Sequence, residues 1–284
     1  MIGERAFTRE QIVERLRSTL AEHTPIVAAA AGVGIIAKCA ELAGADLILV
    51  IASGKSRHLG VPTTVNIGNA TAMTVAMYPE IDNVVDQTPV IGGIEGTDGS
   101  RRRLTRTVDE YRALGFDGIT NFPTAGAFPG WGDSRRDIGE GYEREYELIG
   151  LARERDLFTV GQAYVAEHAA ALAGAGADVV VARCGLTIGG MSGAVGVDTS
   201  LARAAAHVQE LIGAARAERP DVIVLAQGGP FARPEDTDHL YAHTDAQGIL
   251  GESAIERIPI EEYVSAAIRD LKAQELSAAA RAVA

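Results

Sequence analysis

Glu95, Arg183 and Glu252 each fall at the end of an apolar run of strand length. Two carboxylates and a guanidinium brought to one rim would make an acid/base pair with an anion clamp, or metal ligands with a clamp. The competing reading is an internal ion pair between Arg183 and one glutamate, because a buried charge needs a partner or a ligand. Asp98, close behind Glu95, is a second acidic candidate. The carboxylate paired with Arg183 should stay ionised, and the other should carry the proton. A divalent ion such as Mg2+ would instead keep both ionised as ligands.

Anion recognition has several candidate sources. Ser53-Gly54-Lys55-Ser56 looks like the end of a phosphate-binding P-loop, but the first glycine of that motif falls on Leu49. Ser53, Lys55 and Arg57 still lie just past a strand, where they can face an anion; a solvated loop is the plain alternative. The segment Gly185–Gly196 contains Thr187, Gly189, Gly190 and Gly193, and its successive N–H groups could cradle a carboxylate or phosphate. It carries no dinucleotide fingerprint. Gln227-Gly228-Gly229-Pro230 and Gly251-Glu252-Ser253 end two further strands and offer more backbone donors, although glycine there also relieves crowding. Cys184 adjoins Arg183, yet strand neighbours point to opposite faces, so Cys184 packs outward if Arg183 points in. His58 reads as a surface-loop histidine near the rim. Trp131, within Phe128–Arg136, suits a lid over substrate or a contact between subunits.

Positioning these residues takes a scaffold of alternating elements. Thr8-Arg9-Glu10-Gln11 has the form of a capping box, and Ile12, Val13, Leu16 and Leu20 share one helical face, predicting a helix over about 8–22. Apolar runs follow at Pro25–Gly32, Asp46–Ser53, Thr88–Gly96, Gly118–Thr124, Phe158–Tyr164, Asp178–Gly185, Asp221–Gly228 and Ala246–Gly251. Their continuous apolar character fits parallel strands buried on both faces. Eight such runs alternating with helical stretches predict an α/β fold, a single (β/α)8 TIM barrel over 1–284 with a C-terminal tail from about 273. Ala43-Gly44-Ala45-Asp46, Leu114-Gly115-Phe116-Asp117 and Ala175-Gly176-Ala177-Asp178 mark short helix-to-strand turns, with glycine taking the positive φ after a helix. Gly54–Gly68 and Ala125–Gly139 are long by contrast. That asymmetry places the chemistry at the C-terminal strand ends, where Ser53, Glu95, Asn121, Arg183, Gln227 and Glu252 should converge.

Composition narrows the class. A chain of 284 residues with 47% hydrophobic side chains can build a full-size core. Its 38 acidic and 26 basic residues give a formal net charge of −12, which excludes a dedicated nucleic-acid binder with a basic face. Pro25–Ala37, the longest apolar run, is too short to span a bilayer, and the charged N-terminus lacks a signal-peptide core. Cys39 and Cys184 lie far apart and suit a reducing compartment. These features predict a soluble, cytoplasmic protein with no nucleic-acid or membrane partner; a small anionic substrate and a homo-oligomer are the accompanying expectations.

Gly68-Asn69-Ala70, Gly96-Thr97-Asp98, Asn121-Phe122-Pro123-Thr124, Gly185-Leu186-Thr187 with Gly189-Gly190, Gly228-Gly229-Pro230, and Glu256-Arg257 together carry a resemblance. Over roughly 7–272 the chain resembles the phosphoenolpyruvate hydrolase-like TIM-barrel family, distantly related to the phosphoenolpyruvate mutase and isocitrate lyase group. The resemblance implies a hydrolase or lyase that cleaves a C–C or C–O bond of a small oxo- or enol-acid through an enolate-like intermediate. A non-catalytic barrel that binds a small acid or regulates a partner is the alternative. On the enzymatic reading Glu95, Glu252 and Arg183 are catalytic. Ser53, Arg57, Asn121, Thr187, Gly189, Gly190, Gln227, Gly228, Gly229 and Ser253 bind substrate. Backbone N–H groups, Asn121 or a divalent ion would stabilise the oxyanion. Four positions depart from the family pattern, with Arg183 and Gln227 where histidines are usual, Glu95 where asparagine is usual, and Glu252 where a small residue is usual. That implies a divergent acid/base set.

Overall fold

The three Gly-containing turns that recur in the sequence each do two jobs. Gly44, Gly115 and Gly176 take φ values of 90°, 100° and 104°, which lets a strand start directly after a helix. The aspartate two residues on then accepts a main-chain N–H from the preceding strand: Asp46 from Val27, Asp117 from Val90 and Asp178 from Thr159. Each repeat thus pins one strand to the one before it.

The structure is a computed structural model that describes residues 7–63, 67–127 and 129–278; for 129 and 131–133 it describes the backbone alone. Eight parallel strands are β1 (Ile26–Ala30), β2 (Leu47–Val50), β3 (Val90–Ile94), β4 (Gly118–Asn121), β5 (Phe158–Ala163), β6 (Val179–Arg183), β7 (Ile223–Gln227) and β8 (Gly248–Gly251). Each pairs with the next, and β8 returns to β1 with Ile26 opposite Gly248, closing the barrel. A leading helix, α1 (Arg9–Ala21), precedes β1, and α2 (Gly34–Leu42) follows it. Next come α3 (Ala52–His58), α4 (Ala70–Asp82), α5 (Leu104–Leu114), α6 (Pro129–Arg136), α7 (Glu143–Glu154) and α8 (Ala166–Gly174). The last four are α9 (Leu201–Glu218), α10 (Pro234–His243), α11 (Ser253–Glu256) and α12 (Ile258–Lys272). The fold is the single TIM barrel that the alternation predicts.

Two packed layers follow from strand alternation. Ile26, Ala28, Leu47, Leu49, Phe158, Val160, Val179, Val181, Ile223 and Leu225 fill the barrel interior. Their neighbours Ala29, Ile48, Val50, Val180, Ala182 and Val224 face the helices. Helix α1 closes the lower end. Its Thr8 cap forms the predicted capping box, and Ile12 and Leu16 join the interior cluster, each burial worth about 1.5–3 kcal/mol. Arg9 forks onto Asp178 at 2.6 Å, and the Phe7 N–H meets Asp117 at 3.0 Å, so α1 sits across the strand starts. The upper end is therefore the open one.

The long upper connections are more ordered than their glycine content suggests. The segment read as a loop from Gly54 already lies in α3, and the one after Asn121 contains a 3-10 turn, Ala125–Ala127, and then α6. Phe128 and the Trp131 side chain, on which the lid reading rests, lie outside the described residues, as do 64–66 and 279–284.

Candidate active site

Interior parity carries polar side chains into the mouth. Arg183 continues the inward series Val179, Val181, and Gln162 continues Phe158, Val160. Glu252 stands two residues after the inward Leu250, directly after β8. Arg183 grips Glu252 with both terminal nitrogens, Nη1 to Oε1 at 2.8 Å and Nη2 to Oε2 at 3.3 Å. Gln162 Oε1 accepts a further bond from Arg183 Nη1, while its Nε2 donates to Thr120 Oγ1 at 3.0 Å. The rings of Phe122 and Tyr164 lie 5.4 and 5.3 Å from the Arg183 guanidinium carbon.

A second guanidinium completes the cluster. Arg57, one turn beyond Ser53 on α3, donates to Ser53 Oγ at 3.1 Å and to Glu256 Oε2 at 2.5 Å, and its Nη1 lies 3.9 Å from Glu252. The other Glu256 oxygen takes the Gly32 N–H at 2.5 Å and the His58 ring at 2.6 Å. Arg57, Arg183, Glu252 and Glu256 are each at most 6% exposed. Burial pushes the Glu256 carboxyl up, but the Arg57 charge, His58 and the Gly32 N–H more than reverse this and hold it low. Burial also works against the Arg183 charge, and Glu252 and Tyr164 overcome it, leaving the guanidinium more firmly protonated than usual. Two cations balance two anions. Three buried atoms at this mouth nonetheless find no partner among the described residues: Arg57 Nη2, Arg183 Nε and Gln227 Oε1. Each such group costs about 1–3 kcal/mol until something satisfies it.

Several expected site residues have other employment. Asn121 lies at outward parity; its Nδ2 donates to Glu145 of α7 and to the Gln162 carbonyl, so it braces β4 against β5 instead of facing the mouth. The anion cradle expected around Gly189 and Gly190 is already filled by the chain itself. The Met191 N–H donates to Glu261 at 2.7 Å, the Ser192 hydroxyl to the same carboxylate at 3.2 Å, and Arg257 bridges Glu261 to the Gly189 carbonyl. Glycine is needed here for packing, since a Cβ on Gly190 would stand 2.2 Å from Glu261. Gly228 and Gly229 press against the end of β6, where a Cβ would meet the Gly185 oxygen at 2.2 Å or the Cys184 oxygen at 2.7 Å. Crowding, not ligand approach, accounts for both. Thr187 and Ser253 are buried, and Lys55 is exposed. Cys184 points outward, and burial pushes its thiol up to about 12, against the lowering effect of Arg183.

Glu95 belongs to a separate acidic group beside β3 and β4. Burial raises its carboxyl, the charge of Asp98 raises it further, and Arg135 opposes. Asp98 caps the turn after β3 and accepts from Asn69 and Ser100. Glu145, which sequence reasoning missed, is buried nearby and accepts from Asn121, Thr124 and the Ala125 N–H. Burial lifts it to about 7 despite those bonds, with the charge of Glu95 adding to the rise. Gln162 was also missed, and Glu256, quoted only within the Glu256-Arg257 motif, was given no role, though both were visible: Gln162 is the polar member of an inward series, and Glu256 stands one helical turn after Glu252. Glu145 had no such signal.

A divalent ion does not fit this donor set. Glu252 and Glu256 are committed to two guanidiniums, and a dication beside Arg57 and Arg183 would be repelled. Among the described residues no three His, Cys, Asp or Glu side chains gather as ligands.

Fold and site together define an α/β barrel whose upper mouth buries two arginines able to receive a small anion. The chain belongs to the phosphoenolpyruvate hydrolase-like family, whose model matches residues 11–273. It is 35% identical over 271 residues to the ToMV resistance protein Tm-1(GCR237) of Solanum lycopersicum, covering 93% of this chain and 35% of that one. The chain thus spans about a third of that relative's length. Among solved structures it is similar to a phosphoenolpyruvate phosphomutase from Streptomyces platensis subsp. rosaceus, with TM-score 0.60, 16% identity, and 92% of this chain and 87% of that one covered. It is also similar to a phosphonopyruvate hydrolase in complex with oxalate and Mg2+, with TM-score 0.59, 19% identity, and 94% and 90% covered. These two likenesses establish the fold.

Proposed function

We propose that this barrel is a hydrolase or lyase that holds a small anionic oxo- or enol-acid at its mouth and cleaves a C–C or C–O bond through an enolate-like intermediate. The observation that carries this reading is a pair of buried guanidinium N–H groups, Arg57 Nη2 and Arg183 Nε, with no partner among the described residues. Carboxylate or enolate oxygens would satisfy them with charge-assisted bonds. Glu252 and Gln162 hold the Arg183 fork in place for that task. Arg183 is tied to Glu252 by two bonds, and burial and the charge of Asp98 raise the Glu95 carboxyl at the end of β3. The phosphonopyruvate hydrolase, itself a complex with oxalate, lends support to the substrate class. Calorimetry with oxalate and pyruvate tests binding: Arg183→Met should weaken it at least about tenfold, or 1.4 kcal/mol. Unchanged affinity would reduce Arg183 to a structural ion-pair member.

A non-catalytic acid-binding barrel is the second reading, favoured by the full engagement of Glu252 and Glu256 with arginines. Tight binding of an acid without turnover of any oxo-acid would select it. The same proposal includes a cytoplasmic homo-oligomer. No helix among the described residues is long and apolar enough to cross a membrane, and Cys39 and Cys184 are free thiols. Helix α12 buries only Ile258 and exposes a stripe of Ile260, Tyr263, Val264, Ile268 and Leu271. Light scattering that finds only monomer at micromolar concentration would remove the oligomer.

A further inference from the structure

Arg57 and His58 share one carboxylate. Glu256 gives Oε2 to Arg57 Nε at 2.5 Å and Oε1 to His58 Nε2 at 2.6 Å, while the Gly32 N–H fixes Oε1 from a third side. A carboxylate only accepts, so the neutral imidazole keeps its proton on Nε2 and presents Nδ1 as the basic nitrogen. Glu256 stays ionised in its buried seat because Arg57, His58 and the Gly32 N–H outweigh burial. A fixed carboxylate behind an imidazole sets the tautomer and stabilises the imidazolium that forms when the ring takes a proton. The ring is also the member of this cluster that reaches solvent: its side chain is 23% exposed, against 1% for Arg57 and 0% for Glu256. Next door, Arg57 Nη2 has no partner among the described residues. One carboxylate therefore holds an anion donor and a base side by side.

We infer that His58, oriented by Glu256, is the general base of this mouth and takes a hydroxyl proton from a hydroxy-acid held at Arg57. The inference rests on the reading that the mouth binds and cleaves a small oxo-acid, and it adds the base which that reading lacks. For a 4-hydroxy-2-oxo acid the hydroxyl proton passes to Nδ1 and the oxygen's electron pair forms a carbonyl at C4. The C3–C4 bond breaks, and its pair becomes the enolate of the released 2-oxo acid. A water proton returns to C3, so an aldehyde and a 2-oxo acid leave with no oxidant or reductant consumed.

The test uses the full chain, with pyruvate as the binding probe and 4-hydroxy-2-oxoglutarate as the cleavage probe. His58→Gln keeps an N–H for Glu256 but cannot accept a proton. Cleavage to pyruvate and glyoxylate should fall in kcat by about 100-fold or more, while the Kd for pyruvate by calorimetry stays within about twofold. Cleavage within about tenfold of the unsubstituted protein, or a parallel loss of pyruvate binding, would overturn the base and leave a structural histidine. A protein that binds pyruvate but does not split the hydroxy-acid also removes the base, with the binding reading intact. One that binds neither acid overturns both.

Discussion

Arg183→Met separates the energetics of the mouth most sharply. Methionine keeps much of the aliphatic bulk and removes the charge. Glu252, 3% exposed, would lose both close bonds and keep only Arg57 at 3.9 Å. Gln162 would lose a donor as well. Removing one member of a buried ion pair costs about 3–5 kcal/mol, since the other charge stays buried without compensation. The remaining Arg57 contact argues for the lower end, about 3 kcal/mol. Removing both charges with Arg183→Met and Glu252→Leu should recover most of that loss, because Arg57 still has Glu256 and no carboxylate is left stranded. Urea unfolding of the four proteins of this cycle at pH 7 gives the coupling energy directly. A single Arg183→Met within about 1 kcal/mol of the unsubstituted protein would refute the reasoning, as would a double variant no better than the worse single.

Three further outcomes follow from other sites. Glu145 is raised to about 7 by burial, so the folded state holds its proton where the unfolded state does not; its stabilising share is complete below about 4.5 and is lost as pH rises through 7. Unfolding free energy should therefore decline by about 3 kcal/mol across that window, and an undiminished slope in Glu145→Gln would show another group responsible. Gly228→Ala meets both a φ of 77° and a carbonyl oxygen at 2.2 Å, whereas Gly44→Ala meets only its φ of 90° in open space. Thermal unfolding should rank the first as clearly worse, and equal losses would show that crowding at the end of β6 is not felt. Glu261→Ala frees the Met191 N–H and the Ser192 hydroxyl, so limited proteolysis should cut 185–197 faster than before. Unchanged cleavage would mean Arg257 alone holds that loop down.

The sequence by itself carried the barrel. Eight apolar runs, three Gly-x-Asp turns and a capping box are local signals, and each is written within a window of a few residues. Strand parity also legislated that Arg183 turns inward and Cys184 outward. Other site assignments failed for reasons of a different range. Asn121 was expected in the mouth from its place at a strand end, but its parity and the distant Glu145 turned it toward α7. Gly189 and Gly190 look like a ligand cradle in sequence, and only folding brings Glu261, from α12, to fill it. Glu256 reaches Gly32 and Arg57 across roughly two hundred residues of chain, because closing β8 onto β1 brings the first and last strand ends together. Pairing of charges is set by distances in space, and no local pattern encodes which carboxylate a given arginine will meet. Tertiary closure alone decided that Arg183 takes Glu252, that Arg57 and His58 divide Glu256, and that Glu95 stands apart beside Asp98.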